Sequence, residues 1–570
     1  WVASPKFARH HDHLASMSTM VTAGGRVFGI VDEGPARSVN LPPDWKVVAR
    51  DAFSGVLLWK RKISDWAAHL RGFRSGPPAI QRKLVAVDDR VYVTLGYGEP
   101  LTALDAATGE TVRTYEHTQG TEEIVCDGET VYVVIGSRKP GRTDSNSVRR
   151  RVLFPARKKR IRAIDADTGE VLWDRYNEMT EELMPTTLCA ADGRVYYHAV
   201  TGVVCLDADT GKEVWFTRRP VETKRKAWST PTLVVYDGVV LCGDQAGPDP
   251  QLAGELEDAE INWTPTSNAH APMGTMTAYD ASDGSRLWAC PGGPGYSSPP
   301  DIFVADGVVW FSEVSGGNDV DFQVARNPRS GEVVRRIDTS GAYTKTHHHR
   351  CYRDKASDNF IFLGRTGIEF IDLQGDEPYP LRHCWIRGGC QYGVMPANGL
   401  LYLPPHSCAC YIQSKLAGFF ALAPKRGRMG PPESDAPRLE RGPVYGDIEA
   451  DGNRAADDWP TFRHDPGRTG ATDAMVAPDL KADWQTQLGS ELTAPVVGEG
   501  VLCVASEEEH TVYGLDAETG EKLWSFEAGG RVNSPPTLYR GRAIFGCADG
   551  WVYCLRLVDG RMAWRFRAAP

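Results

Sequence analysis

Seven copies of one short pattern constrain this chain more than any other feature. The clear copies read ALDAATGETV from Ala103, AIDADTGEVLW from Ala163, CLDADTGKEVW from Cys205, AYDASDGSRLW from Ala278 and GLDAETGEKLW from Gly514. Weaker copies are ARDAFSGVLLW from Ala49 and CLRLVDGRMAW from Cys554. In each, an apolar strand ends in Asp-Ala or its equivalent. A Thr-Gly turn or a relative of it then reverses the chain, with Gly in the positive-φ position. A second strand carries Leu or Val and then Trp. Upstream, Asp-Gly before a Val-rich run, as in DGRVYYHAVTGVV from Asp192 and DGVVLCG from Asp237, marks another hairpin.

One unit is therefore about four short antiparallel strands. Such a sheet has two faces to bury, so the units must stack, and radial stacking gives a β-propeller. The fold class expected is all-β: an eight-bladed propeller of four-stranded antiparallel blades, with additional blades at the C-terminal end. Units fall at roughly 21–63, 80–116, 120–175, 183–218, 228–290, 296–338, 343–387 and 391–423. The eighth ends at GFFALAP without a Trp-bearing strand, and the opening WVASP can supply it, closing the ring without an open edge.

These residues resemble the PQQ-repeat β-propeller family, quinoprotein-like and BamB-like, whose core reads like ALDAxTGxxxW. The segment WPTFRHDPGRTGAT from Trp459 is similar to the opening often found in such propellers. The resemblance implies the fold, and is weaker for cofactor, because many propellers with this repeat bind no quinone. The family's quinone enzymes typically carry adjacent cysteines, a calcium site and an Asp base. Here the order is Cys408-Ala409-Cys410, so PQQ is not expected.

Three segments follow: 1–423 as the propeller, 424–458 as a Pro-rich charged linker, and 459–570 as two further repeats. These last either dock on the first ring or begin a second one. Charged residues are 24% and hydrophobic ones 41%, enough for a packed core. The net charge of −10 makes no case for nucleic acid. No apolar run approaches the roughly 18 residues of a membrane span. The chain opens on Trp1 without a methionine, which suggests removal of a leader and a periplasmic or secreted location. The cysteines that stand singly in strand-like text, Cys126, Cys189, Cys205, Cys242, Cys503, Cys547 and Cys554, read as buried small hydrophobes.

Against the repeat, a few stretches stand out. RHHDHLASMS enters the inner strand of blade 1, THHHRCYR that of blade 7 and RGGCQYGVM that of blade 8, while PPHSCACYIQSK is the middle loop of blade 8. Blades 7, 8 and 1 are neighbours, so these loops are expected at one mouth of the central channel. Converging imidazoles make a metal site, and the cysteines can ligate a soft metal or pair. The candidate ligands are His11, His13, His347, His349, His406, Cys408 and Cys410. In an extended run His347 and His349 share one side, with His348 opposite, so not all three should be ligands. The candidate catalytic residues are His348, Arg350, Tyr352, Tyr392 and Arg9, arginine to meet an anion and His or Tyr to move a proton. Cys351, Cys384 and Cys390 lie in the same region, and their pairing is open.

Three functions compete. One is a metal-dependent enzyme acting on an anionic carbohydrate, by analogy of architecture with propeller polysaccharide lyases. It would use a divalent metal ion, with Mn, Zn, Cu, Fe and Ca unresolved. The second is a quinoprotein dehydrogenase. The third is a non-catalytic binding or scaffold propeller with a protein partner. The partner expected in the first case is an anionic glycan or other small anionic ligand.

Overall fold

The computed structural model describes residues 1–5, 17–35, 41–70, 78–136, 151–153, 158–221, 223–226, 230–245, 274–292, 300–311, 322–337, 339, 353–364, 367–374, 381–383, 385–389, 392–405, 416, 418–424, 438–447, 458–476, 478–489 and 491–568. They fall into two compact units. One comprises Val2–Ala49 and Trp59–Leu422, the other Trp1, Arg50–Leu58 and Ala423–Pro570.

Eight four-stranded antiparallel sheets are built from the strands between Val2 and Leu422. In chain order their first strands are Met17–Ala23, Leu84–Val87, Thr121–Asp127, Cys189–Ala191, Thr232–Tyr236, Ile302–Ala305, Lys355–Ala356 and Met395–Ala397. Each first strand neighbours that of the next sheet, and the eighth neighbours the first. This is the arrangement of a PQQ-type propeller. In the eighth sheet, Val2 pairs with Phe420 and Ala3 with Phe419, so the opening WVASP supplies the fourth strand.

Turn chemistry explains the strands. First and second strands are joined at Gly24-Gly25, Asp192-Gly193, Asp237-Gly238, Asp306-Gly307 and Asn398-Gly399, where both residues have positive φ. That is the type I′ geometry, whose twist matches the flanking strands. The third and fourth strands meet at the repeat's Asp-x-x-x-Gly turn. In the fourth sheet Asp207 Oδ1 accepts from Thr210 N at 3.0 Å and from Thr210 Oγ1 at 2.7 Å.

The Trp of the repeat locks one sheet to the next. Trp173 Nε1 donates to the Ala208 carbonyl at 2.7 Å, and its ring lies over Gly211, where a Cβ would stand 2.6 Å from ring carbons. Trp59 does the same to Ala106 and Gly109, Trp215 to Ala281 and Gly284, and Trp288 to Pro328 and Gly331. Only glycine leaves room for the ring and accepts positive φ there. Between sheets three and four this lock joins a buried cluster of Tyr132, Val134, Trp173, Leu188, Tyr197 and Leu206.

The other unit repeats the device. Trp1 lies over Gly55, Trp484 over Gly520 and Trp524 over Gly560. It contains a four-stranded sheet, a five-stranded sheet in which Leu439–Arg441 pairs with Met562–Arg567, and a core that includes Val512, Trp524, Phe545 and Leu555. Its Glu508 is fully buried, paired with Arg50 and, at 2.9 Å, with Arg531.

Candidate functional site

The sheets present equivalent positions to the axis around which their first strands gather. The residue five before the first turn residue of each sheet is, in order, Thr19, Lys83, Glu123, Thr187, Thr232, Asp301, Arg353 and Gly393. All lie within two residues of the start of a first strand, so they collect toward one end of the ring of strands.

A belt of hydrogen bonds runs through these positions. Lys83 Nζ donates to the Thr121 carbonyl, and Glu123 accepts from the Thr186 amide. Thr186 and Thr230 share a hydroxyl contact at 3.0 Å. Thr232 donates to the Pro300 carbonyl. The Asp354 amide donates to Asp301 Oδ2 at 3.1 Å. Lys355 Nζ donates to the Arg353 and Tyr392 carbonyls, each at 3.1 Å. Finally Tyr392 Oη donates to the Met20 carbonyl at 2.6 Å, joining the eighth sheet to the first.

Two arginines reach past a neighbouring sheet. Arg82 donates to the Thr186 and Leu188 carbonyls at 3.4 Å, from the second sheet to the fourth. Arg353 donates to Thr232 Oγ1 at 3.1 Å and pairs with Asp301 Oδ1 at 3.1 Å, from the seventh sheet to the fifth and sixth. Burial lowers the proton affinity of Arg353, Asp301 offsets this, and Arg82 lowers it further.

The cations are unevenly paired. Arg82, Lys83 and Lys355 rest on carbonyl oxygens, and among the described residues none of them has a carboxylate in ion-pair contact. Burial pushes Lys83 down to about 8, opposed by Glu122 and Glu123. Burial also pushes Lys355 to about 8, opposed by Asp301. On the acidic side, burial raises Asp354 well above the carboxylate range, and repulsion from Asp301 adds to it. Burial likewise raises Asp301 and Glu123, which Arg353 and Arg82 respectively oppose. Burial thus disfavours the charged form of the cations Lys83, Arg353 and Lys355 and of the carboxyls Glu123, Asp301 and Asp354 alike.

Of the site residues expected from the sequence, Tyr392 is placed here: it is buried, its hydroxyl is committed to Met20, and Lys355 lies 5.4 Å over its ring. Arg9, His11, His13, His347, His348, His349, Arg350, Tyr352, His406, Cys408 and Cys410 lie outside the described residues, as do Cys351, Cys384 and Cys390. Among the described residues no group of three or more His, Cys, Asp or Glu side chains is placed to hold a metal ion. Cys126, Cys189, Cys205, Cys503, Cys547 and Cys554 are free thiols, buried or half-buried, while Cys242 is buried and Cys290 half-buried. Burial holds Cys126 and Cys503 up at about 12, which keeps the thiolate, the reactive form, scarce.

Sequence reasoning passed over Arg82, Lys83, Glu123, Asp301, Asp354 and Lys355. The signal was present in the fixed count back from each hairpin turn, where charged residues stand in QRKLVAVDD, PPDIFVADG and YRDKASDN.

Trp-locked four-stranded repeats around a common axis define the class as a β-propeller. A family model described as outer membrane protein assembly factor BamB matches residues 157–361 and 467–570, together just over half of the chain. A second, the β-propeller domain of glucose/ethanol/alcohol dehydrogenase, matches residues 56–176. The chain belongs to the PQQ-repeat β-propeller family.

Polyvinylalcohol dehydrogenase of Sphingopyxis sp. (strain 113P3) is 25% identical over 436 residues, covering 68% of this chain and 61% of that protein. Outer membrane protein assembly factor BamB of Burkholderia pseudomallei (strain K96243) is 29% identical over 101 residues, 18% of this chain and 26% of that one. The chain thus spans less than two thirds of either relative. The crystal structure of BamB from Moraxella catarrhalis aligns with a TM-score of 0.34 at 16% identity, over 62% of this chain and 80% of that one. Among the described residues no helix is long and apolar enough to cross a membrane.

Proposed function

We propose that this chain is an extracytoplasmic binding propeller whose central channel takes a small anionic ligand. The eight sheets would be the blades of one closed ring, and the repeats of 459–570 additional blades beyond a linker. The observation that carries the reading is the set of cations at the blade entrances. Arg82, Lys83 and Lys355 lean on carbonyl dipoles, and Arg353 shares a single carboxylate, Asp301. Buried guanidiniums that repel one another would gain from an anion placed between them. The extracytoplasmic location is supported by the name of the BamB relative, an outer membrane assembly factor.

Isothermal titration of the full chain with citrate and with sulfate at low salt tests this. Saturable binding is expected, weakened about tenfold or more by Arg82→Met. No saturable uptake of either anion would overturn it.

A second reading, a quinoprotein dehydrogenase, draws on the match to polyvinylalcohol dehydrogenase across 68% of the chain. The channel cations suit the carboxylates of a pyrroloquinoline quinone. Yet Tyr392, the ring beside them, carries the Lys355 ammonium over its face and offers that face to no flat cofactor. That side of the Tyr392 ring is therefore closed to a stacked quinone. The metal-dependent lyase reading draws on His11, His13, His347 to His349, His406, Cys408 and Cys410, outside the described residues, and the described ones add nothing to it.

A further inference from the structure

Two remote segments of like charge are paired outside the four-stranded sheets. Arg151–Leu153 and Lys224–Lys226 form a separate two-stranded antiparallel ribbon, with Arg151 opposite Lys226, Val152 opposite Arg225 and Leu153 opposite Lys224. Four of its six residues are basic and none is acidic. The side-chain period of two puts Arg151, Lys224 and Lys226 on one face. Like charges directly opposite each other destabilise a pair, and a lone two-stranded ribbon is marginal in water. Edge strands do carry lysine to deter aggregation, but that duty needs no second basic strand beside the first.

The ribbon belongs to the end of the sheets at which Lys83 and Arg353 stand. In the third sheet Thr121 lies opposite Ile135, and Ile135 opposite Arg160. The connection carrying Arg151–Leu153 therefore leaves and returns at the Thr121 end, and Lys83 Nζ donates to that Thr121 carbonyl. The connection carrying Lys224–Lys226 leaves the fourth sheet after Arg218 and enters the fifth at Thr232, whose Oγ1 accepts from Arg353 at 3.1 Å. Lys226 precedes Thr232 by six positions and Leu153 precedes Arg160 by seven, so chain length holds the ribbon within roughly 20–25 Å of this end. The exposed Lys158 lies on the second of these returns.

Resting on the anion-binding reading above, we infer that the bound anion is one unit of an acidic polysaccharide, whose neighbouring units lie along the ribbon of Arg151–Leu153 and Lys224–Lys226. A small anion held at the strand entrances leaves the charge of the ribbon unanswered. A polymer of anionic units answers both, and removes the repulsion between Arg151 and Lys226. The chain as a whole has a net charge of −10, so a densely charged polymer such as a nucleic acid is repelled beyond this patch. A glycan spaces its carboxylates and offers apolar ring faces between them. The ribbon has the matching character, with Val152 and Leu153 set directly opposite Arg225 and Lys224.

The test is calorimetric titration of the full chain at low salt with D-galacturonate, hexagalacturonate and hexathymidylate. Hexagalacturonate is expected to bind about thirtyfold or more tightly than the monomer, beyond the roughly sixfold statistical gain of offering six units. Hexathymidylate is expected to bind about tenfold or more weakly than hexagalacturonate. The triple change Lys224→Gln, Arg225→Gln and Lys226→Gln is expected to bring hexagalacturonate to within the statistical factor of the monomer. The wild-type series decides the matter even if that variant fails to fold. Hexagalacturonate within the statistical factor on the wild-type chain would overturn the polysaccharide inference and leave the anion site standing. An excess that survives the triple change would overturn the assignment to the ribbon. Hexathymidylate binding as tightly as hexagalacturonate would overturn the choice of a glycan. Failure of every anion, citrate and sulfate included, would overturn the underlying reading as well.

Discussion

Replacing Gly211 by alanine tests the lock that joins the sheets. Gly211 has φ +67°, and a Cβ there would stand 2.6 Å from Trp173 ring carbons. Two costs add. A side chain in the left-handed region costs about 1–2 kcal/mol. Forcing a methyl into a packed ring contact costs about 1–3 kcal/mol more. Gly193, in the same sheet, provides the control: its φ is +70°, but a Cβ there would meet nothing within 4 Å. Gly193→Ala should therefore carry the backbone cost alone. Urea unfolding followed by tryptophan fluorescence and far-UV circular dichroism measures both. Gly211→Ala is expected to lose roughly 2–5 kcal/mol and Gly193→Ala roughly 1–2. Repeating both changes with Trp173→Ala closes a double-mutant cycle. In that background the two alanine variants should cost the same. Equal costs in the native background, or an excess at Gly211 that persists without the Trp173 ring, would refute the docking argument.

Other outcomes follow from charged groups. His510 is buried, and burial depresses it from 6.5 to about 4. The unfolded chain takes up this proton first, so the stability its unit owes to neutral His510 is complete above pH 6.5 and is lost as pH falls through 4. His510→Gln should flatten the urea midpoint over that window, and an unchanged slope would rule His510 out as the acid-sensitive group. Glu508→Gln leaves Arg50 and Arg531 without their buried carboxylate, and should cost about 3–5 kcal/mol in the same assay. A cost below about 1 kcal/mol would mean the pair acts as an exposed one. Arg82→Met should hold or raise the urea midpoint while weakening citrate binding about tenfold or more, and a large fall in the midpoint would make Arg82 a structural residue.

The repeat was legible because each of its residues has a separate physical duty. Asp207 caps a turn, Gly211 takes positive φ under a ring, and Trp173 needs a carbonyl partner, so the pattern cannot drift without loss. The N-terminal strand could be foreseen from the missing Trp of the last unit. The charged cluster was harder to see. Lys83, Glu123, Asp301 and Arg353 sit about 38 to 120 residues from their cross-sheet partners, and no local pattern reveals a partner at that distance. Histidine runs attract attention because three in a row are rare, whereas one Lys or Asp before a strand looks like ordinary surface. The count back from the hairpin turn exposes these residues, but only once the sheets are known to share an axis.

That count also bears on why the charges are there. At the position five before the turn, four sheets carry Lys83, Glu123, Asp301 and Arg353, and the other four carry Thr19, Thr187, Thr232 and Gly393. The same strand entrance is thus built with a hydroxyl or with no side chain at all, so the fold does not demand a charge there. Cohesion between sheets is already supplied further out, where Trp173 docks on Gly211 amid Tyr132, Leu188 and Leu206. Buried ion pairs rarely improve on apolar packing of similar volume, since desolvation offsets most of the attraction. Here three of the cations lack even a carboxylate partner among the described residues. Such an arrangement weakens the free protein, and on the proposed reading a bound anion would remove that penalty. The unequal distribution points the same way: charge on sheets two, three, six and seven, with threonine on four and five, makes the axis lopsided. On the proposed reading, that asymmetry would orient a ligand with distinct ends.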